Sequence, residues 1–168
     1  MSAGLLDQWR RHATVVPMGA IMFVSFQNTS AIATEHLGSC SVVVIASAYA
    51  AILAHIPPLP NQATTDPNAG DIQAQSFMNQ VANLYQQNIS FFPSAQGVVV
   101  CAVYNGSVAL PSQRDIMSSS LQRMGIRTTI RTYQVPTYQN FAGRGTVIAF
   151  RPSPSNPYPL IYVEDRLN

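Results

Sequence analysis

The sequence predicts a single α+β domain with more strand than helix. Its 168 residues match the size of one domain. Short apolar, β-branched segments alternate with Gly, Pro, Asn and Ser turns along most of the chain. Only two stretches place apolar residues at helical spacing. Residues 1–16 read as an N-terminal arm and 17–168 as the domain.

Leu5, Leu6 and Trp9 share one side of a short helix or loose arm over 1–12. Strands at about 18–26 and 30–36 flank the turn-like Gln27-Asn28-Thr29. Leu37-Gly38-Ser39-Cys40 interrupts the chain before 41–46, whose β-branched run suits a buried strand. Ser47-Ala48-Tyr49 can turn a hairpin into a second apolar run that stops at Pro57-Pro58, although its alanines leave a helix open. A Pro, Asn, Thr and Asp loop fills 57–70. Ile72, Ala74, Phe77, Met78, Val81, Ala82 and Tyr85 then predict a helix over 71–88, with Asp71 near its positive end.

A strand at 97–104 ends at Asn105-Gly106. Ser112 with Asp115 resembles a capping arrangement for a second helix carrying Ile116, Met117, Leu121 and Met124, and Gly125 is placed as its C-cap. Strands at 127–134, 145–150 and 159–163 complete the chain.

Composition removes several functions. Charged residues are only 10% of the chain against 47% hydrophobic, so the apolar surface suffices to order it and long disorder is excluded. The net charge is +2, without clusters, which is no footprint for nucleic acid or for an acidic membrane surface. All the basic residues are Arg; without Lys there is neither a Schiff-base lysine nor a P-loop lysine. Two cysteines outside any CxxC pair and three histidines without HxxxH or HExxH spacing argue against a disulfide framework and against zinc. The reading therefore calls for no metal and no cofactor. Arg10-Arg11-His12 before the apolar 13–26 superficially resembles a signal peptide, but Pro17 and Gly19 break it and a first strand explains it equally well. No membrane insertion and a cytoplasmic location are expected, with secretion the less favoured alternative.

Cys40 follows Gly38-Ser39 at the mouth of a strand, where it would be exposed to substrate and near backbone N–H groups. A thiolate is the reactive form of cysteine, and a neighbouring imidazole is the usual means of making one. If 41–46 and 50–56 pair as a hairpin, His55 returns to Cys40, making these the chain's one plausible nucleophile–base pair. Cys101, inside an apolar strand, reads as core. His36 reads as a half-exposed strand histidine, although it lies near enough to Cys40 to reach a site. Arg144 reads as a solvated loop residue that could also grip a substrate. Tyr104, Tyr133 and Tyr138 read as packing or rim residues.

Thr34 to Val44, with the segment Leu37-Gly38-Ser39-Cys40-Ser41-Val42, resembles the LGSCV segment of CheD, the bacterial chemoreceptor glutamine deamidase family. Thr34 stands six positions before Cys40 as in that family, and Ala54-His55-Ile56-Pro57 matches its histidine context. The order of the later elements continues the resemblance over about 17–165. It implies a three-layer α/β/β sandwich with mixed sheets and two main helices, shared with deamidase toxins of the cytotoxic necrotizing factor type. It also implies hydrolysis of a protein glutamine amide to glutamate with release of ammonia. Cys40 would be the nucleophile, His55 the base and Thr34 the residue that orients His55. Gly38 and Ser39 would position an oxyanion, with Arg144, Asn140 and His36 on the substrate rim.

The expected partner is thus a glutamine-containing protein substrate, with room for a regulatory protein partner and none for nucleic acid. The alternatives are an inert binding module of the same fold, favoured by Val103-Tyr104-Asn105-Gly106 and Asn140-Phe141-Ala142-Gly143-Arg144 where that family has Gly-rich segments, and a secreted deamidase toxin or effector. Three further expectations follow. Cys40 should carry a low-pKa thiolate, Thr34→Ala should spare the thermal midpoint, and the 57–70 loop should form part of a narrow substrate slot.

Overall fold

Val42 to Ile45 favour an extended backbone and are apolar on both faces, so they need cover from two sides. In the computed structural model, which describes residues 3–167, they lie in the middle of the larger of two sheets. The elements in chain order are α1 (Leu5–Trp9), β1 (Ala13–Val15), β2 (Ile21–Ser25), β3 (Ala31–Thr34), β4 (Ser41–Ala46) and β5 (Ala50–Ile56). There follow α2 (Ala69–Gln87), β6 (Gln96–Tyr104), β7 (Ser107–Val108), α3 (Pro111–Arg123), β8 (Arg127–Gln134), β9 (Val147–Phe150) and β10 (Leu160–Val163).

The larger sheet has the order β2-β5-β4-β6-β7, with β8 pairing the other side of β6. The smaller has the order β1-β3-β9-β10. Each is mixed: β8 runs parallel to β6 and β1 parallel to β3, while the other pairs are antiparallel. Alternation along β4 divides its cover. Val42 and Val44 meet the inner face of the small sheet, including Ile32, Val147 and Ile161. Val43 and Ile45 meet Met78 and Val81 of α2 and Met117 and Leu121 of α3. Helices, large sheet and small sheet thus form three layers of an α+β fold. The apolar run at 50–56, left open to helix, is strand because every second residue has a sheet or a helix to pack against.

The N-terminal segment is packed onto the small sheet. Leu6 is buried against Ala31, Ala33 and Ile148, and Trp9 meets Phe150 edge-on at 5.2 Å. β1, within the predicted arm, pairs with β3. At α3 the expected Ser112–Asp115 cap does not form: the helix starts with Pro111, and Ser112 hydrogen-bonds Asp71 Oδ1 instead. Pro111 has no N–H to satisfy at that first position, so the side-chain cap is dispensable. Among the described residues no helix is long and apolar enough to cross a membrane.

Candidate functional site

Thr34, Cys40 and His55 are brought to one end of the layer between the sheets. Inner-face Ile32 sets the parity of β3, so Thr34 also points inward, and it is fully buried. His55 stands opposite Val42 across the β4–β5 pair, facing the same layer. Its backbone is fixed from the other side as well, because its N–H donates to Ala20 O and its carbonyl accepts from Gly19 N.

Thr34 Oγ1 donates to Val16 O at 2.6 Å and lies 2.7 Å from His55 Nδ1. A hydroxyl has one proton, and here it goes to the carbonyl, which can only accept. His55 Nδ1–H therefore donates to Thr34, which leaves the Nε2 lone pair free. Burial pushes the His55 pKa below its ordinary value, with the Val16 carbonyl opposing, so the ring is neutral at pH 7. Among the described residues Nε2, which is buried, has no hydrogen-bond partner. An unpaired buried acceptor costs about 1–3 kcal/mol and calls for a functional or structural reason.

Cys40 departs from expectation. The residue is 4% exposed rather than open at the strand mouth. Burial pushes its thiol pKa above the ordinary value, opposite to a low-pKa thiolate. The thiol and His55 Nε2 form no hydrogen bond. Desolvation decides both groups: neither charge is favoured where water is excluded, so the pair rests as thiol and imidazole rather than as an ion pair.

Gly38 adopts φ +59°, which permits the turn that returns Cys40 N to Leu37 O at 2.7 Å. That bond occupies the Cys40 N–H, an obvious oxyanion donor. The Gly38 and Ser39 N–H groups have no partner among the described residues, and both residues line the neighbouring groove. This groove, about 490 Å³, also has Tyr104, Tyr133, Val135, Pro136, Arg144 and Glu164 in its walls.

Of the three expected rim residues, Arg144 and His36 line this groove, whereas Asn140 lies in an adjoining cavity. His36 lies beyond the end of β3, not within a strand, and its side chain is exposed. The 57–70 loop does not contribute, because Gln73 and Gln113 hold the Pro57 and Pro58 carbonyls on the helix side. Full burial and two hydrogen bonds also make Thr34 a structural residue, so a Thr34→Ala variant with an unaltered thermal midpoint does not fit. Cys101 is core, as expected.

Sequence reading missed the part taken by Tyr133. Its hydroxyl donates to Cys40 O across 93 positions of sequence. Only the pairing of β4 with β6 and of β6 with β8 brings the two together, and no local motif announces it. Compared with known proteins, the chain matches no family model and no curated protein.

Proposed function

We propose that the chain is a cysteine amidohydrolase. Within that class, the CheD-like order of Thr34, Cys40 and His55 supports a deamidase that converts protein glutamine to glutamate. The observation that carries the reading is the buried, oriented His55 whose Nε2 lone pair has no partner, on the strand next to the one that Cys40 opens. Such a nitrogen is a general base awaiting a proton.

In this mechanism a bound carboxamide draws the thiol to Nε2. Sulfur attacks the amide carbon as its proton passes to His55, giving a tetrahedral oxyanion near the Gly38 and Ser39 N–H groups. His55 then returns the proton to the departing nitrogen, ammonia leaves and a thioester remains. Water, deprotonated by His55, cleaves the thioester to glutamate and restores the thiol. Thr34 keeps Nδ1 protonated throughout, which fixes the nitrogen that works. The reaction runs in the cytoplasm on a protein, where contacts remote from the amide align it.

The test is ammonia release from a panel of folded proteins against free glutamine, with Cys40→Ala as the control. Protein glutamines should react, free glutamine should react poorly, and moderate salt should have little effect. Equal turnover of free glutamine would indicate a small-molecule amidase. Burial of Cys40 and the missing thiol–imidazole bond favour a second reading, an inert protein-binding module. Silence on every protein, together with unaltered binding by Cys40→Ala, would establish it.

A further inference from the structure

We infer that Tyr133 is a positioning residue, which pins the backbone of Cys40 and thereby controls the thiol's access to the neighbouring groove. Cys40 is held at both of its backbone polar groups. Its N–H donates to Leu37 O at 2.7 Å, Leu37 N–H donates to Gly145 O at 3.2 Å, and Gly145 N–H donates to Glu164 Oε2 at 2.9 Å. Its carbonyl accepts from the Tyr133 hydroxyl. The first chain ties the turn to the small-sheet side, and Tyr133 ties it to the far edge of the large sheet.

Tyr133 suits this part for three reasons. It is anchored on β8, which pairs with β6 along the whole strand, so the ring is carried by the sheet and not by a loop. It is 4% exposed yet contributes to the groove wall, so one side chain both bonds the Cys40 carbonyl and borders the open space. Burial, then the neighbouring Cys40 and Glu164, raise its pKa, so the phenol remains a proton donor at any working pH. The turn it restrains is otherwise short and includes positive φ at His36 and Gly38, a conformation that persists only while its surroundings hold it.

Tyr133→Phe removes one oxygen and keeps the ring. The expected result is faster alkylation of Cys40 by iodoacetamide, by about threefold to tenfold, as loss of one net hydrogen bond from a restrained turn implies. Cys101, buried on the helix side of β6, is the internal reference: mass-spectrometric labelling should show its rate unchanged. In the ammonia assay, kcat should fall by about tenfold or more with KM little altered, because an unpinned Cys40 backbone aligns the thiol less precisely for attack on the bound amide.

An unchanged Cys40 rate, or Cys40 and Cys101 rates rising together as a loosened fold would make them, overturns the inference. The kinetic arm rests on the proposed amidohydrolase activity; the labelling arm does not. Selective labelling with no ammonia released from any protein by the parent chain would sustain the pinning of Cys40 and reject the enzyme.

Discussion

At Thr34 one hydroxyl decides the state of a neighbouring ring. Because its proton goes to Val16 O, it can only accept from His55, and that places the free lone pair on Nε2. Thr34→Val preserves the volume and deletes this logic. It leaves Val16 O and His55 Nδ1 without their present partner in a dry site, and each orphaned group costs about 1–3 kcal/mol. We expect a fall in the thermal midpoint of several degrees by calorimetry, with Thr34→Ser retaining most of both stability and turnover. Equal stability of the Val and Ser variants would show that the hydroxyl is not the operative group.

The thiol makes a second expectation at this scale. Its pKa is raised by burial, so the thiolate fraction of the free protein should be small at pH 7 and should grow only above the ordinary thiol range. The Cys40 alkylation rate should therefore climb steadily above pH 9. A plateau already reached near pH 7 would mean an ion pair with His55 that the resting geometry does not contain.

Among the elements, α3 and β6 show two different uses of glycine. Gly125 ends α3 at φ +79° with open space around it, so an added Cβ meets no atom and suffers only the backbone penalty. Gly97 of β6 lies beneath α3 and the following turn, where a Cβ would approach Leu121 Cδ1 and Ile126 Cγ2 at 3.0 Å. Gly125→Ala should cost about 1 kcal/mol, and Gly97→Ala about 1–3 kcal/mol through overpacking. Urea denaturation measures both. Gly97→Ala rescued by a second change, Leu121→Val, would identify the cost as steric; Gly125→Ala should gain nothing from it.

The whole molecule has an acid limit set by the buried imidazole. Burial lowers the His55 pKa in the folded state, while the unfolded chain takes up that proton near pH 6.5. Between those two values the unfolded state binds more protons, so stability rises with pH and is lost as pH falls below about 6.5, at up to about 1.4 kcal/mol per unit. Glu35, whose carboxyl is held below its ordinary value by Arg10 at 2.7 Å, adds its own loss only below about pH 4.5. Urea midpoints from pH 7.5 to 5 should show the first slope in the parent chain and in a His12→Gln/His36→Gln double variant. A flat profile in the parent chain would mean that His55 is hydrated.

Local pattern carried much of this molecule. β-Branched runs and their bounding turns predict β4 and β8 at their observed limits, the apolar run that becomes β5 is found at its limits with its type left open, and helical spacing finds α2 to within two residues at each end, because one-sided or two-sided burial leaves a period in the sequence. The hairpin that joins β4 to β5 returns His55 to the start of β4, just after Cys40, by the same reasoning. Tertiary structure alone settled the rest. β1 and β7 are too short to register as periods and exist because β3 and β6 offer edges to pair with. The contact of Tyr133 with Cys40 depends on strand order across β4, β6 and β8, which no local window contains. Above all, the charge states of Cys40 and His55 depend on how much water the packed sheets exclude: residue types named the pair, and desolvation made it neutral.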